Sequence, residues 1–207
     1  MTFRIQGTPS ILALALVAGC SPAAEAPEVD AVEATYESSA QTSFAALDFD
    51  PPTLIEADGF KIVPLGPDLV EVDYEAYMSS IEHLQTTFTR STGWPHGGLT
   101  DEDAMKDMET EQARFERRES FAYAVLTPDG SRERGCVYVY PSTIPGYDAV
   151  VRLWVTKDEF DAGFDEELYG WTQEWIAKEW PFEDVAYPGR AIAWEEWDKL
   201  VEANSAQ

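Results

Sequence analysis

Few side chains in this sequence are of types that do chemistry, and they fall in definite places. Glu82 and His83 are adjacent near the end of a run with helical spacing. A carboxylate or imidazole so placed could take a proton from a nucleophile. The same pair equally suits a helix end, where the dipole favours a histidine and water solvates the glutamate. His96, the other histidine, lies in the loop Gly93-Trp94-Pro95-His96-Gly97-Gly98. Cys136 alternates with Tyr138 and Tyr140, as on a strand, with no Ser/His/Asp or Cys/His pattern beside it. That makes it a buried structural thiol. Arg152 sits mid-strand and could hold an anion or pair with Asp148 or Glu174. Asp158, Glu159, Asp161, Asp165, Glu166 and Glu167 crowd the stretch 156–167, where Lys157 is the lone cation. No Cys/His cluster has zinc-ligand spacing and no run has calcium-loop spacing, so the sequence predicts no metal.

These residues need elements to place them. A strand is expected at 60–65, closed by Gly66-Pro67. Val70, Tyr74, Tyr77, Met78, Ile81, Leu84 and Phe88 recur every three or four residues. That spacing predicts one amphipathic helix, with Asp68 as its N-cap. Thr100 and Asp103 resemble a capping box opening a second helix, whose last turns carry Arg114, Arg117 and Arg118. Strands follow at 121–125, 134–140 and 149–155, the first two joined by the turn Thr127-Pro128-Asp129-Gly130. A helix over 165–179, capped by Asp165 and stopped by Pro181, leads to a short strand at 185–187 and a last helix at 193–203. Short connections make the central strands antiparallel. The strand after the crossover helix must run parallel to the one before it. The tryptophans near the end fall at helical spacing and read as core; Trp94 in its loop is the exception.

The 207 residues carry 39 acidic and 14 basic side chains, a formal charge of −25. Aromatic content of 13% is too high for a disordered acidic chain, so this one folds. Such charge repels phosphate backbones and excludes nucleic acid as a partner, while a cationic small molecule or amine would be attracted. No apolar run reaches the roughly 18–20 residues a membrane-spanning helix needs.

Residues 1–19 read as a signal peptide, with Arg4 near the start and the apolar run 11–18. Val17-Ala18-Gly19-Cys20 resembles the lipobox of bacterial lipoproteins. The resemblance implies cleavage before Cys20, lipidation of its thiol and tethering at the cell envelope facing the periplasm, with the outer membrane preferred. Several acyl chains at about 0.8 kcal/mol per buried methylene make a firm anchor. Residues 20–57 are acidic and rich in Ala and Pro, the composition of an extended tether. Phe44, Leu47 and Phe49 could dock back on a domain spanning 58–207.

The order of elements, and the phrases FKIVPLGPD…YEAYMSSIEHLQ, FAYAVLTPDG, RGCVYVYPS and LYGWTQEWIAKEWPFEDVAYPGR, resemble the GNAT N-acyltransferase superfamily. The resemblance implies an α+β fold with a mixed, mostly antiparallel sheet flanked by helices. It implies acyl transfer from acetyl-CoA or another acyl-CoA to an amine. Glu82 or His83 would be the base and Val155 would donate to the oxyanion, while Tyr138, Tyr140 and Trp154 on one sheet face could pack the pantetheine arm or another apolar ligand, or serve as core. Gly163 would belong to the turn that holds the diphosphate on helix N-terminal amides. That turn, 156–167, departs from the family pattern Q/R-x-x-G-x-G/A: one glycine is present and no Gln or Arg precedes it. At an effective dielectric near 20, like charges ~6 Å apart repel by roughly 3 kcal/mol, so the acidic run opposes a diphosphate. Three functions are therefore carried forward: an acyltransferase, a non-catalytic lipid-anchored binding module with a degenerate CoA site, and an acidic accessory domain suited to salty surroundings.

Overall fold

The computed structural model describes residues 44–45 and 48–205. The signal segment 1–19, Cys20, most of the tether and Leu47 lie outside the described residues. Six strands form one sheet in sequence order: β1 (Ile55–Ala57), β2 (Phe60–Pro64), β3 (Phe121–Leu126), β4 (Glu133–Pro141), β5 (Ala149–Val155) and β6 (Val185–Ala186). Every neighbouring pair is antiparallel except β5 with β6, which is parallel, as the crossover predicts. Helices α1 (Val70–Met78), α2 (Ile81–Leu84) and α3 (Asp101–Glu116) cover one face. Helix α4 (Lys157–Asp161) and helix α5 (Phe164–Glu179) follow β5, and α6 (Trp194–Ser205) closes the described chain. No helix among the described residues is long and apolar enough to cross a membrane.

Strand alternation sorts the core into two layers. Phe121, Tyr123, Val125, Val137, Val139 and Leu153 point toward α5, where Leu168, Trp175 and Ile176 meet them. Ala122, Ala124, Cys136 and Trp154 point the other way, against Tyr77, Leu84 and Met108. Trp94 joins this second layer, with its ring 5.1 Å from Tyr77 and 6.3 Å from Trp154, so the loop tryptophan is also core.

Three local expectations change. The long first helix is broken at Ser79-Ser80. Its remainder continues as α2 and a wide π turn over Gln85–Thr89, so Phe88 and Arg90 leave the helix axis. Asp68 does not cap: it lies inside a 3-10 turn, Pro67–Leu69, without a side-chain capping bond. Asp165 does not cap α5 either; Gly163 occupies that place in the left-handed region (φ 87°), and Asp165 turns to Arg190. The capping box at Thr100 and Asp103 forms as expected.

The folded unit also begins before residue 58. β1 pairs with β2, and Ala45 and Pro51 are buried. Phe44 stacks near Phe121 and Phe182, and Phe49 packs on Trp180. Arg118, itself left-handed (φ 59°), donates to the Phe49 carbonyl. Residues 44–45 and 48–57 are thus sheet edge and core cover rather than tether.

Candidate functional site

β5 and β6 pair only through Ala149 and Val150 with Val185 and Ala186. Beyond that point β5 runs on to Val155 with β4 alone, while the other chain turns away through Pro188-Gly189. A slot opens where the strands part. Thr156 N–H donates to the Arg134 carbonyl of β4. By two-residue alternation, the N–H and C=O of Leu153 and Val155 face away from β4 and into the slot. The cavity there has a volume of about 270 Å³, and His83, Phe88, Arg152, Trp154, Arg190 and Trp194 are among its walls.

Arg152 dominates this space. Its guanidinium donates to the Phe88 carbonyl, lies 4.3 Å over the Phe88 ring and 5.4 Å from the centre of the Trp194 ring. Burial lowers its pKa, Tyr140 and Tyr138 act against that, and nearby Arg90 adds to it. Among the described residues no carboxylate forms an ion pair with it. The two carboxylates weighed from the sequence are engaged elsewhere: Asp148 accepts from the amides of Glu183 and Asp184, and Glu174 pairs with Lys178. Arg90 is held by Asp198, and Arg190 by Asp165 through two bonds of 2.8 and 2.9 Å. The one acid in the cavity wall, Asp165, is paired with Arg190, so among the described residues Arg152 is a half-buried arginine without an ion pair, a site with charge to offer.

The turn after β5 bears on acyl-CoA. Its acidic run is less repulsive than composition suggests. Glu159 is buried between Arg132 and Arg134, Asp161 pairs with Lys157, and Asp165 with Arg190. Much of the α4 backbone is also engaged. Lys157 N–H donates to Ser80 Oγ and Glu159 N–H to Thr156 Oγ1. The amides of Phe160, Ala162 and Gly163 close turns of the short helix α4. A diphosphate seat needs free amides converging on one point. Here the short helix α4 takes up the first part of the turn, whereas the opening amides of α5, behind Gly163, carry no side-chain cap.

The fold brings His83, Trp154 and Val155 to the slot and leaves two other expected residues outside it. Glu82 is exposed on the far side of its short helix, and Gly163 is exposed at the α4–α5 junction. His83 packs its ring 4.9 Å from Phe160. Burial, then Lys157, lower its pKa, against Asp165, Asp161 and a backbone bond to Val155. The imidazole is therefore biased toward neutral, opposite to what a helix dipole would do.

Sequence reasoning missed Phe88, Arg190 and Trp194. Only the turn Tyr187-Pro188-Gly189-Arg190 carried a signal. Gly189 has φ 79°, and a Cβ there would lie 2.4 Å from the Trp194 indole. Gly189→Ala should unseat Trp194 and loosen its cover over Arg152. The expected result is a fall in thermal midpoint of several degrees and a red shift of tryptophan emission, the signature of an indole gaining water. Unchanged emission would mean Trp194 is not held by that glycine.

No family model matches the chain, and no curated protein matches it. Among solved structures, ribosomal-protein-S5-alanine acetyltransferase from Vibrio fischeri superposes with a TM-score of 0.54 at 13% identity, covering 74% of this chain and 82% of that one. RimL, a ribosomal L7/L12 alpha-N-protein acetyltransferase in complex with coenzyme A, gives 0.47 at 12% identity over 59% and 67%. The microcin C7 self-immunity acetyltransferase MccE, with acetyl-CoA and AMP, gives 0.42 at 14% over 60% and 67%. The likeness to the Vibrio fischeri enzyme shows the fold: the chain has the mixed, mostly antiparallel sheet of the GNAT N-acyltransferases.

Proposed function

We propose that this chain is a GNAT-fold binding module, lipid-anchored through Cys20 at the cell envelope, whose β5–β6 slot takes a compact anionic ligand. The observation that carries the reading is Arg152: a guanidinium clamped by Phe88 and Trp194, facing a cavity, with no acid partner among the described residues. A planar guanidinium is suited to bind a carboxylate or phosphate through paired hydrogen bonds. A volume of about 270 Å³ suits a small molecule. The acidic outer surface still favours cationic partners, so slot and surface would select opposite charges.

Acyl transfer is the second reading. It is favoured by one feature: the open β5 edge at Leu153 and Val155, beside a histidine biased toward neutral. Such an edge could hold an acyl group and its oxyanion. Against it stand the helical turn α4 within the segment that would hold a diphosphate and the acids Asp165, Glu166 and Glu167 in the first turn of α5.

Calorimetry separates the two. Small carboxylates, orthophosphate and acetyl-CoA are each titrated into the wild type and into Arg152→Met. We expect saturable binding of at least one small anion, weakened tenfold or more by the substitution, and no heat from millimolar acetyl-CoA. Tight acetyl-CoA binding with thiol release in the presence of an amine would instead establish the transferase. For the anchor, labelled lipid should be incorporated by the wild type and lost in Cys20→Ser; label persisting in the variant would remove the anchor from the proposal.

A further inference from the structure

Asp73 on α1 and Glu133 and Cys136 on β4 meet beneath α1, away from the slot. They are 3%, 0% and 0% exposed. Their candidate ligand atoms all lie within 4.8 Å of one another. Cys136 Sγ is 2.9 Å from Glu133 Oε1 and 3.8 Å from Asp73 Oδ1. Glu133 Oε2 is buried without a hydrogen-bond partner among the described residues. Among the described residues neither carboxylate forms an ion pair, and the adjacent Arg132 and Arg134 are both committed to Glu159.

We propose that Asp73, Glu133 and Cys136 bind a divalent transition-metal ion of borderline softness, Zn²⁺ in the first instance. A tetrahedral zinc with bonds of about 2.3 Å to sulfur and 2.0–2.2 Å to oxygen places those ligand atoms roughly 3.5 Å apart. The observed 3.8 and 2.9 Å bracket that figure, and rotation of the Glu133 carboxylate closes the difference. Two carboxylates and a thiolate offer three negative ligands; a dication offsets two of these charges and leaves a net −1 on the bound site. Thiolate disfavours Mg²⁺ and Ca²⁺, whose preferred ligands are oxygen. A cavity of about 240 Å³, walled by Val72, Ala76, Glu133 and Thr156, touches the cluster at Glu133 and is the side from which an ion or a fourth ligand would approach.

A β-bulge makes the arrangement possible. Residues 133 and 136 are three apart, so a regular strand would aim them at opposite faces. Pairing slips between Val125↔Gly135 and Leu126↔Glu133, leaving Arg134 as the extra residue. Glu133 is thereby turned to the Cys136 face, while Asp73 comes from 63 residues away. No ligand spacing in the sequence could announce such a site.

Co²⁺ is the probe, used on the full chain with Cys20→Ser so that Cys136 is the one thiol. We expect one equivalent to give a thiolate-to-cobalt absorption band, displaced by Zn²⁺ and not by excess Mg²⁺. Cys136→Ser should abolish the band, and Asp73→Asn and Glu133→Gln should each weaken affinity tenfold or more in chains folded by circular dichroism. Zn²⁺ should raise the thermal midpoint of the parent but not of these variants. No thiolate band in folded parent protein, or a band surviving loss of both carboxylates, would overturn the site and leave a proton-sharing carboxyl pair. Anion binding in the slot is read separately, so either proposal can fail alone.

Discussion

Glu159→Gln lowers the unfolding free energy by about 3 kcal/mol at neutral pH, the scale expected when one partner of a buried ionic cluster is removed. Glu159 is 7% exposed and accepts 2.6 Å bonds from both Arg132 and Arg134. Arg134 also donates to the Gly59 carbonyl and lies 3.4 Å over the Phe164 ring, so this one carboxylate ties α4, the β3–β4 hairpin, the β1–β2 turn and the start of α5 together. Glutamine keeps the shape but leaves two guanidiniums without their counter-charge. The pH dependence has a definite sign. Burial pushes the Glu159 pKa up, but the bonds and charges of Arg134 and Arg132 together hold it below its ordinary 4.5. A depressed carboxylate contributes stability that is full above the unfolded value and fades as pH falls through the folded one. Urea unfolding of both proteins from pH 7 downward should therefore show a gap that is constant above about pH 5 and narrows below it. A gap under 0.5 kcal/mol at pH 7, or one that widens in acid, would contradict the role assigned to Glu159.

Trp180→Ala costs about 4 kcal/mol, within the range for deleting a large core aromatic. Trp180 is 5% exposed, and its ring centre lies 5.0 to 5.7 Å from those of Phe49, Phe121, Trp175 and Phe182. Its indole nitrogen is buried with no partner among the described residues, so the loss is one of packing and cavity rather than hydrogen bonding. Trp180→Phe should then cost far less. Because Phe49 rests on this ring, the alanine variant should also expose residues 48–52 to protease before the rest of the domain unfolds. Equal losses in the two variants, or no early cleavage, would show that the cluster is not held by this side chain.

Both predictions concern contacts invisible in the chain's local pattern. What local pattern does encode is considerable. Alternation separated Cys136 and Tyr138 from Val137 and Val139 correctly, because successive strand side chains must face opposite ways. The crossover helix dictated a parallel last pair, since a chain leaving one strand end through a helix returns in the same direction. Thr100 and Asp103 marked a helix start because both partners of that cap lie within one turn. The break at Ser79-Ser80 escaped, because Ile81, Leu84 and Phe88 keep helical spacing on either side of it.

By itself, then, the sequence determined the order and type of most elements, the two faces of the sheet and the excess of acid. These follow from interactions among residues a few positions apart. The tertiary structure alone decided which charges are left free, since Asp165 is neutralised by a residue 25 positions away and Arg90 by one 108 positions away. It decided that residues 44–45 and 48–57 belong to the domain, that a bulge gathers Asp73, Glu133 and Cys136, and that Arg152 faces a cavity with no ion-pair partner among the described residues. Charge and burial act through space, and positions along the chain do not record which distant groups will share that space.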